Sequence, residues 1–292
     1  MSAGLRWHVE GHDWPHREHS RFVEVGRLRW HVQVMGEGPP LLLLHGTGAA
    51  THSMRALAPL LAQHFTVIAP DLPGHGFTSG RPVCGLSMSA MARAVGDLLA
   101  SLDVVPEIIV GHSAGAAIAV RMMLDGIATP KAIVGLDAAL LPFPGLAAKL
   151  FPALAKALFV NPFAPRLFAQ MARVPGEAGR FLARSTGSHI DAKGVALYER
   201  LLANSGHVGG ALAMMANWDL DALKADLSRL HVPLLLIHGG KDAAIPLSNA
   251  REAAALVGDG RLLALPGLGH LAHEERPGEV AGIIIHWAGE QL

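Results

Sequence analysis

EIIVGHSAGAAIAV, residues 107–120, decides how this chain is read. A short β-branched run (Ile108, Ile109, Val110) stops at Gly111-His112-Ser113-Ala114-Gly115, and a run of small and apolar residues suited to a helix follows. G-x-S-x-G alone is short enough to arise by chance. A strand before it and a helix after it give the motif its meaning: a sharp strand–turn–helix that presents a serine nucleophile. Such a turn strains the serine backbone, and its flanking positions must be small enough for close approach of neighbouring chain. Gly111 and Gly115 meet that need, and Ala116 and Ala117 let the helix lie close to a sheet. The helix N-terminus also brings free N–H groups to the place where negative charge would develop beside Ser113.

A serine hydroxyl needs a base to take its proton. His270, in the loop after the run RLLAL, stands late in the chain, where the order serine, acid, histidine places it. His273 is its close rival and reads as the start of the final helical region. The acid should fix the histidine tautomer and stabilise the imidazolium. Asp242, in KDAAIP after the run LLLIHGG, is favoured, and Asp137, at the end of AIVGLD, is the competitor. Two backbone donors are needed for an oxyanion: the N–H of Ala114 and an N–H of His45-Gly46-Thr47-Gly48, with Thr47 favoured. His45 reads as a brace for that loop.

Outward from the motif, strands and helices alternate. Residues 21–25 and 28–35 suggest a hairpin across a glycine turn. PLLLL (40–44) reads as a buried parallel strand. A helix over about 53–64, a strand over 65–69, the turn DLPGHG (71–76) and a helix over 87–102 with Ser87 as N-cap follow. Strands over 107–110, 132–136, 233–238 and 261–265 and helices over 114–124, 248–256 and 279–290 complete a doubly wound, mostly parallel sheet. From about 138 to 229 the pattern is suspended, and the sequence is helical in flavour and rich in Ala, Leu, Phe and Met. The expected organisation is a core of residues 1–138 and 230–292 with a helical lid, 139–229, over the carboxyl edge of the sheet.

Composition excludes several classes. Hydrophobic residues make up 51% and charged residues 16%, and 24 Lys+Arg balance 24 Asp+Glu. Nucleic-acid binding, which calls for a basic excess, is not expected. One cysteine, Cys84, cannot form an internal disulfide framework and reads as a loop thiol of a reducing cytoplasm. No amino-terminal apolar region marks a signal peptide. The most apolar tract, 140–160, is broken by prolines and lysines before it reaches the about 20 residues of a membrane span. His12, His16 and His19 lack metal-site spacing and read as solvated loop. No glycine pattern forms a phosphate or dinucleotide loop, so neither cofactor nor metal is expected.

Taken together, LLHGTG, DLPGHG, VGHSAG, GGKDAAIP and LGHLAHEERP, in this order, resemble the α/β-hydrolase superfamily over essentially the whole chain. HGTGAATHSM, APDLPGHGFTSG, VGHSAGAAIA, HVGGALAMMANWDL and GLGHLAHEERP further resemble the magnesium-chelatase accessory family of bacteriochlorophyll-synthesising bacteria, with MMANWDL and HLAHEERP the more specific segments. Asp137 departs from that pattern, which leads one to expect asparagine there. The resemblance implies a role near magnesium insertion into protoporphyrin.

Two functions compete. One is hydrolysis of an ester, thioester or related carbonyl bond of a hydrophobic small molecule through an acyl-Ser113 intermediate, with carbon–carbon bond hydrolysis open to the same triad. The other is a non-catalytic accessory that binds a tetrapyrrole or a chelatase subunit. A dehalogenase would carry Asp where this chain has Ser113. Residues 138–176 contain no acidic residue, yet hold Lys149, Lys156, Arg166 and Arg173 among Phe143, Phe151, Phe159, Phe163 and Phe168. The plain expectation is an amphipathic lid with its phenylalanines and methionines lining an apolar pocket. The alternative is a lid that handles an apolar anion, such as a porphyrin with propionates, or that touches a membrane surface.

Overall fold

A computed structural model describes residues 4–142, 158, 161 and 163–292. Nine strands form one sheet: β1 (Ser20–Val25), β2 (Leu28–Met35), β3 (Pro40–Leu44), β4 (Thr66–Pro70), β5 (Ser79–Gly80), β6 (Ile108–His112), β7 (Ala132–Leu136), β8 (Leu234–Gly239) and β9 (Gly260–Leu265). Their order is β1-β2-β4-β3-β6-β7-β8-β9, with β5 beside β2. β2 is antiparallel to β1, β4 and β5, and pairing is parallel from β4 to β9. The expected hairpin and parallel run are both present.

Around the sheet lie the short α1 (Trp7–Glu10) and α2 (Ala58–Leu61), then α3 (Met88–Ser101), α4 (Ala114–Leu124), α10 (Leu247–Leu256), α11 (Ala272–Glu275) and α12 (Pro277–Gly289). The inner strands are buried on both faces, which is why PLLLL shows no polar alternation. Leu42 and Leu44 turn toward α3 and α4, whereas Leu41 and Leu43 meet Leu57, Leu61 and Ile284 on the other side. Ser87 caps α3 by accepting the Ala90 N–H, as its position before the apolar run implies. Between β7 and β8 come α5 (Ala164–Ala172), α6 (Glu177–Thr186), α7 (Ala192–Leu202), α8 (Ser205–Ala216) and α9 (Leu220–Asp226), with no strand among the described residues.

Two expectations are corrected. The single helix over 53–64 is instead a 3-10 turn, Thr51–Met54, and the separate α2. A continuous helix would drive the Pro59 ring against the carbonyl of Arg55. That carbonyl is turned away to accept from His16 Nε2 at 2.6 Å, and Pro59 sits in the first turn of α2. The amino-terminal histidine stretch is likewise not simply solvated. Trp14, 2% exposed, donates to Thr51 Oγ1 at 3.0 Å, and Trp7 lies edge-on to Phe22 and Phe77. His12 and His19 remain at the surface.

Candidate active site

Ser113 follows β6 directly and adopts φ 51°, ψ −116°, a left-handed strained conformation for a non-glycine residue. Its surroundings over-determine that strain. Its N–H donates to Leu136 O (2.8 Å), and its carbonyl accepts from Ala116 and Ala139 N–H (both 3.1 Å). A Cβ on Gly111 would lie 2.4 Å from Ala116 N, and one on Gly115 would lie 2.5 Å from Leu44 O. The small flanks are therefore obligatory: α4 rests directly on the ends of β3 and β6.

His270 and Asp242 come from adjacent loops because β8 and β9 pair throughout their length. His270 Nδ1 donates to Asp242 Oδ2 at 2.8 Å, and Asp242 Oδ1 accepts from Ala244 and Ile245 N–H at 2.7 and 2.8 Å. Both oxygens of the acid are thus fixed, and the bond leaves Nε2 of the imidazole as its free face. Asp137 lies at the end of β7 with φ 45°. Its Oδ1 accepts from Gly239 N–H at 2.7 Å, and its Oδ2 is buried without a partner. Burial, and then the nearby Asp242 carboxylate, push the Asp137 carboxyl well above the usual carboxylate range. Asp242 holds the imidazole, and Asp137 stands behind it.

The loop after β3 carries Thr47, whose Oγ1 donates to Met214 Sδ on α8 at 3.4 Å. Backbone N–H groups of Thr47 and Ala114 are taken up by no other group among the described residues. Such unclaimed amides beside a helix N-terminus suit a developing anion. His45 braces this loop as expected: Nδ1 donates to Gly46 O (2.8 Å), and Nε2 accepts from Leu72 N–H (2.9 Å). The DLPGHG turn is drawn tight by buried Asp71, which accepts from Thr51 N–H, Phe77 N–H and His31 Nδ1 at 2.7 to 2.8 Å.

Three contributors escaped the sequence reading. His112, buried beside Ser113, donates from Nε2 to His270 O at 2.9 Å. Burial, and then the adjacent His273 and His270, keep it well below the usual histidine pKa, so it is neutral. His207 on α8 accepts from Gly76 N–H at Nδ1 (3.1 Å) and donates from Nε2 to Gly48 O (3.0 Å), joining the turn and the Thr47 loop to that helix. The end of α6 clasps the histidine and acid loops. Thr186 O accepts from His270 N–H (2.8 Å) and Ala243 N–H (3.3 Å), and Ser188 Oγ accepts from Leu271 N–H (2.8 Å). His112 was visible as the variable residue of G-x-S-x-G. The other two are long-range contacts with no local signal.

Of the lid residues singled out by sequence, Phe143, Phe151, Phe159, Lys149 and Lys156 lie outside the described residues. Phe163 and Phe168 are exposed rather than turned toward Ser113, because α5 buries its alanine face instead. Arg166 and Arg173 are at the surface as expected. Asp137, His238 and Asp242 place ligand atoms within 4.8 Å of one another, the arrangement closest to a metal set among the described residues. Asp242 in that trio is already engaged by His270 and two amides.

A family profile for the alpha/beta hydrolase fold matches residues 39–277. The chain belongs to the α/β-hydrolase family. It is 39% identical over 278 residues to the magnesium-chelatase 30 kDa subunit of Rhodobacter capsulatus, covering 94% of this chain and 96% of that one. It is 30% identical to the pimeloyl-[acyl-carrier protein] methyl ester esterase of Aromatoleum aromaticum, covering 84% and 96%. In three dimensions it resembles a thermophilic esterase from Thermogutta terrifontis, with a TM-score of 0.75 and 20% identity over 92% of this chain and 98% of that one. That last likeness speaks for the fold. As an α/β-hydrolase, the chain has the expected layers, a mostly parallel sheet flanked by helices.

Proposed function

We propose that this α/β-hydrolase is a serine hydrolase that cleaves an ester or related carbonyl bond of a hydrophobic substrate in magnesium-tetrapyrrole biosynthesis. The observation that carries the chemistry is the strained Ser113 turn in one constellation with the 2.8 Å His270–Asp242 bond. Ser113 Oγ attacks the substrate carbonyl while His270 Nε2 takes its proton. Ala114 and Thr47 N–H groups receive the oxyanion. The protonated His270, held by Asp242, then returns its proton to the leaving alcohol or amine. Water, activated by the same imidazole, releases the acid and restores Ser113.

The pathway rests on the 39% identity to the chelatase subunit. That likeness also supports a second reading, in which the fold is an accessory that binds a porphyrin or a chelatase subunit without turnover. Purified protein is assayed on p-nitrophenyl esters of increasing acyl length beside Ser113→Ala. Hydrolysis that rises with acyl length and vanishes in Ser113→Ala supports the first reading. Absence of hydrolysis, with protoporphyrin binding equal in wild type and Ser113→Ala, supports the second.

A further inference from the structure

α5 is inside out for a soluble helix. Its buried positions are Ala164, Ala169 and Ala172, while Phe163, Leu167 and Met171, recurring every fourth residue, are 69%, 58% and 53% exposed. Val174, just beyond its end, is half exposed, and Phe181 on the neighbouring α6 is 55% exposed. Isolated exposed apolar residues are ordinary, but a stripe of large ones along one helix marks an interaction surface.

Charge says what kind of surface is met. The chain as a whole is neutral, yet residues 163–186 hold Arg166, Arg173, Arg180 and Arg184 against a single acidic residue, Glu177. Glu177 is paired with Arg180. Arg166 and Arg173 lie about 100–120° of helix rotation from the centre of the apolar stripe, both on the same side, so the stripe has one basic edge beside its Phe/Leu face, as an interfacial helix does. A protein partner of ordinary mixed charge would not call for so one-sided a rim. We infer that α5 and the adjoining α6 form a docking surface for an anionic phospholipid bilayer, with Phe163, Leu167 and Met171 entering the headgroup–acyl boundary and the arginines meeting lipid phosphates. No helix among the described residues is long and apolar enough to cross a membrane, so the contact is peripheral.

The opposite side of α5 rests on α8, which carries His207 and Met214 to the loop at Gly48 and Thr47. A lipid surface held there would stand one helix layer from the Thr47 loop. The inference goes beyond the hydrolase reading and does not depend on it, because vesicle binding reads no chemistry.

The test is co-sedimentation of the full chain with vesicles of equal parts phosphatidylglycerol and phosphatidylcholine, and with vesicles of phosphatidylcholine alone. Binding is expected to the first and to be weak on the second. The combined variant Phe163→Ser, Leu167→Ser, Met171→Ser should bind at least roughly tenfold more weakly. Arg166→Gln with Arg184→Gln should cost about fivefold per arginine. Val83→Ser, which alters a still more exposed apolar residue elsewhere, should bind as wild type, and circular dichroism checks that each variant is folded. Failure to bind phosphatidylglycerol vesicles overturns the inference. So does undiminished binding by the folded triple variant, an equal loss in Val83→Ser, or self-association through this face without vesicle binding.

Discussion

His112 Nε2 donates to the main-chain oxygen of His270 at 2.9 Å, so the residue before Ser113 holds the backbone of His270. Their rings lie 4.8 Å apart, and the His273 ring lies against His112 at 4.4 Å, tilted by 48°. His112→Phe keeps the bulk but orphans a buried carbonyl, at a cost of about 1–3 kcal/mol. Denaturant unfolding should show that loss, and ester turnover should fall more than substrate affinity because the base is less well placed. Unchanged stability and turnover would mean that the bond carries nothing.

The two aspartates should behave oppositely. Asp242→Asn removes the acceptor that fixes the His270 tautomer, and replacing a triad acid in this way costs about 10⁴-fold in turnover. Asp137→Asn keeps an oxygen for Gly239 N–H and should leave turnover near wild type. Because the folded-state pKa of Asp137 is raised above that of the unfolded chain, the native state binds the extra proton, and stability falls as pH rises above the usual carboxylate value. The asparagine variant should therefore be more stable than wild type at neutral pH, with the gap closing in acid. Thermal unfolding at several pH values checks this. A large activity loss in Asp137→Asn would instead make it the working acid.

Acid should unfold the protein abruptly. Burial lowers the pKa of His45, His52, His75 and His112, and brings His207 to about 4 and His273 to about 3. An unfolded chain titrates these groups near 6.5. Between 6.5 and the folded values the unfolded state binds more protons, so this stability is fully present above pH 6.5 and lost below it. Each group subtracts about 1.4 kcal/mol per pH unit. Several acting together exhaust a domain stability of about 5–15 kcal/mol before the lowest folded pKa is reached. Circular dichroism against pH should show a cooperative loss between pH 6.5 and about 4. Intact native structure at pH 3 would contradict the burial of neutral histidines.

α8 should set the position of the Thr47 loop. His207→Phe removes both the Gly76 and the Gly48 bonds while filling the same space. Turnover should drop with little change in KM, since in the proposed mechanism Thr47 N–H donates to charge that exists only in the transition state. A rise in KM alone would place His207 at substrate binding instead.

Much of this was written locally in the chain. The sheet strands are short apolar runs ended by glycine or a turn, and the serine turn carries its own steric signature in Gly111 and Gly115. His270 and Asp242 stand in the loops that follow two readable strands, β9 and β8, which is why chain order alone points to them. What was not legible depends on partners distant in sequence. The Thr186–Ser188 clasp on His270 and Asp242's loop spans more than 50 residues, and no local pattern encodes it. The helix expected over 53–64 breaks for a local reason, Pro59, and the Arg55 carbonyl that its ring would meet accepts instead from His16, far upstream. Phe163 and Phe168 were placed inward on hydrophobicity alone, whereas the alanine face of α5 packs closer to its neighbours.

The central claim is that Ser113 is a nucleophile activated by His270. Wild-type protein, His270→Ala and Ser113→Ala are incubated with a fluorophosphonate, and the modified peptide is located by mass spectrometry. One adduct is expected, on Ser113, formed rapidly in wild type, strongly slowed in His270→Ala and absent in Ser113→Ala. An unmodified Ser113 in folded wild-type protein, or an equal rate in His270→Ala, would contradict it.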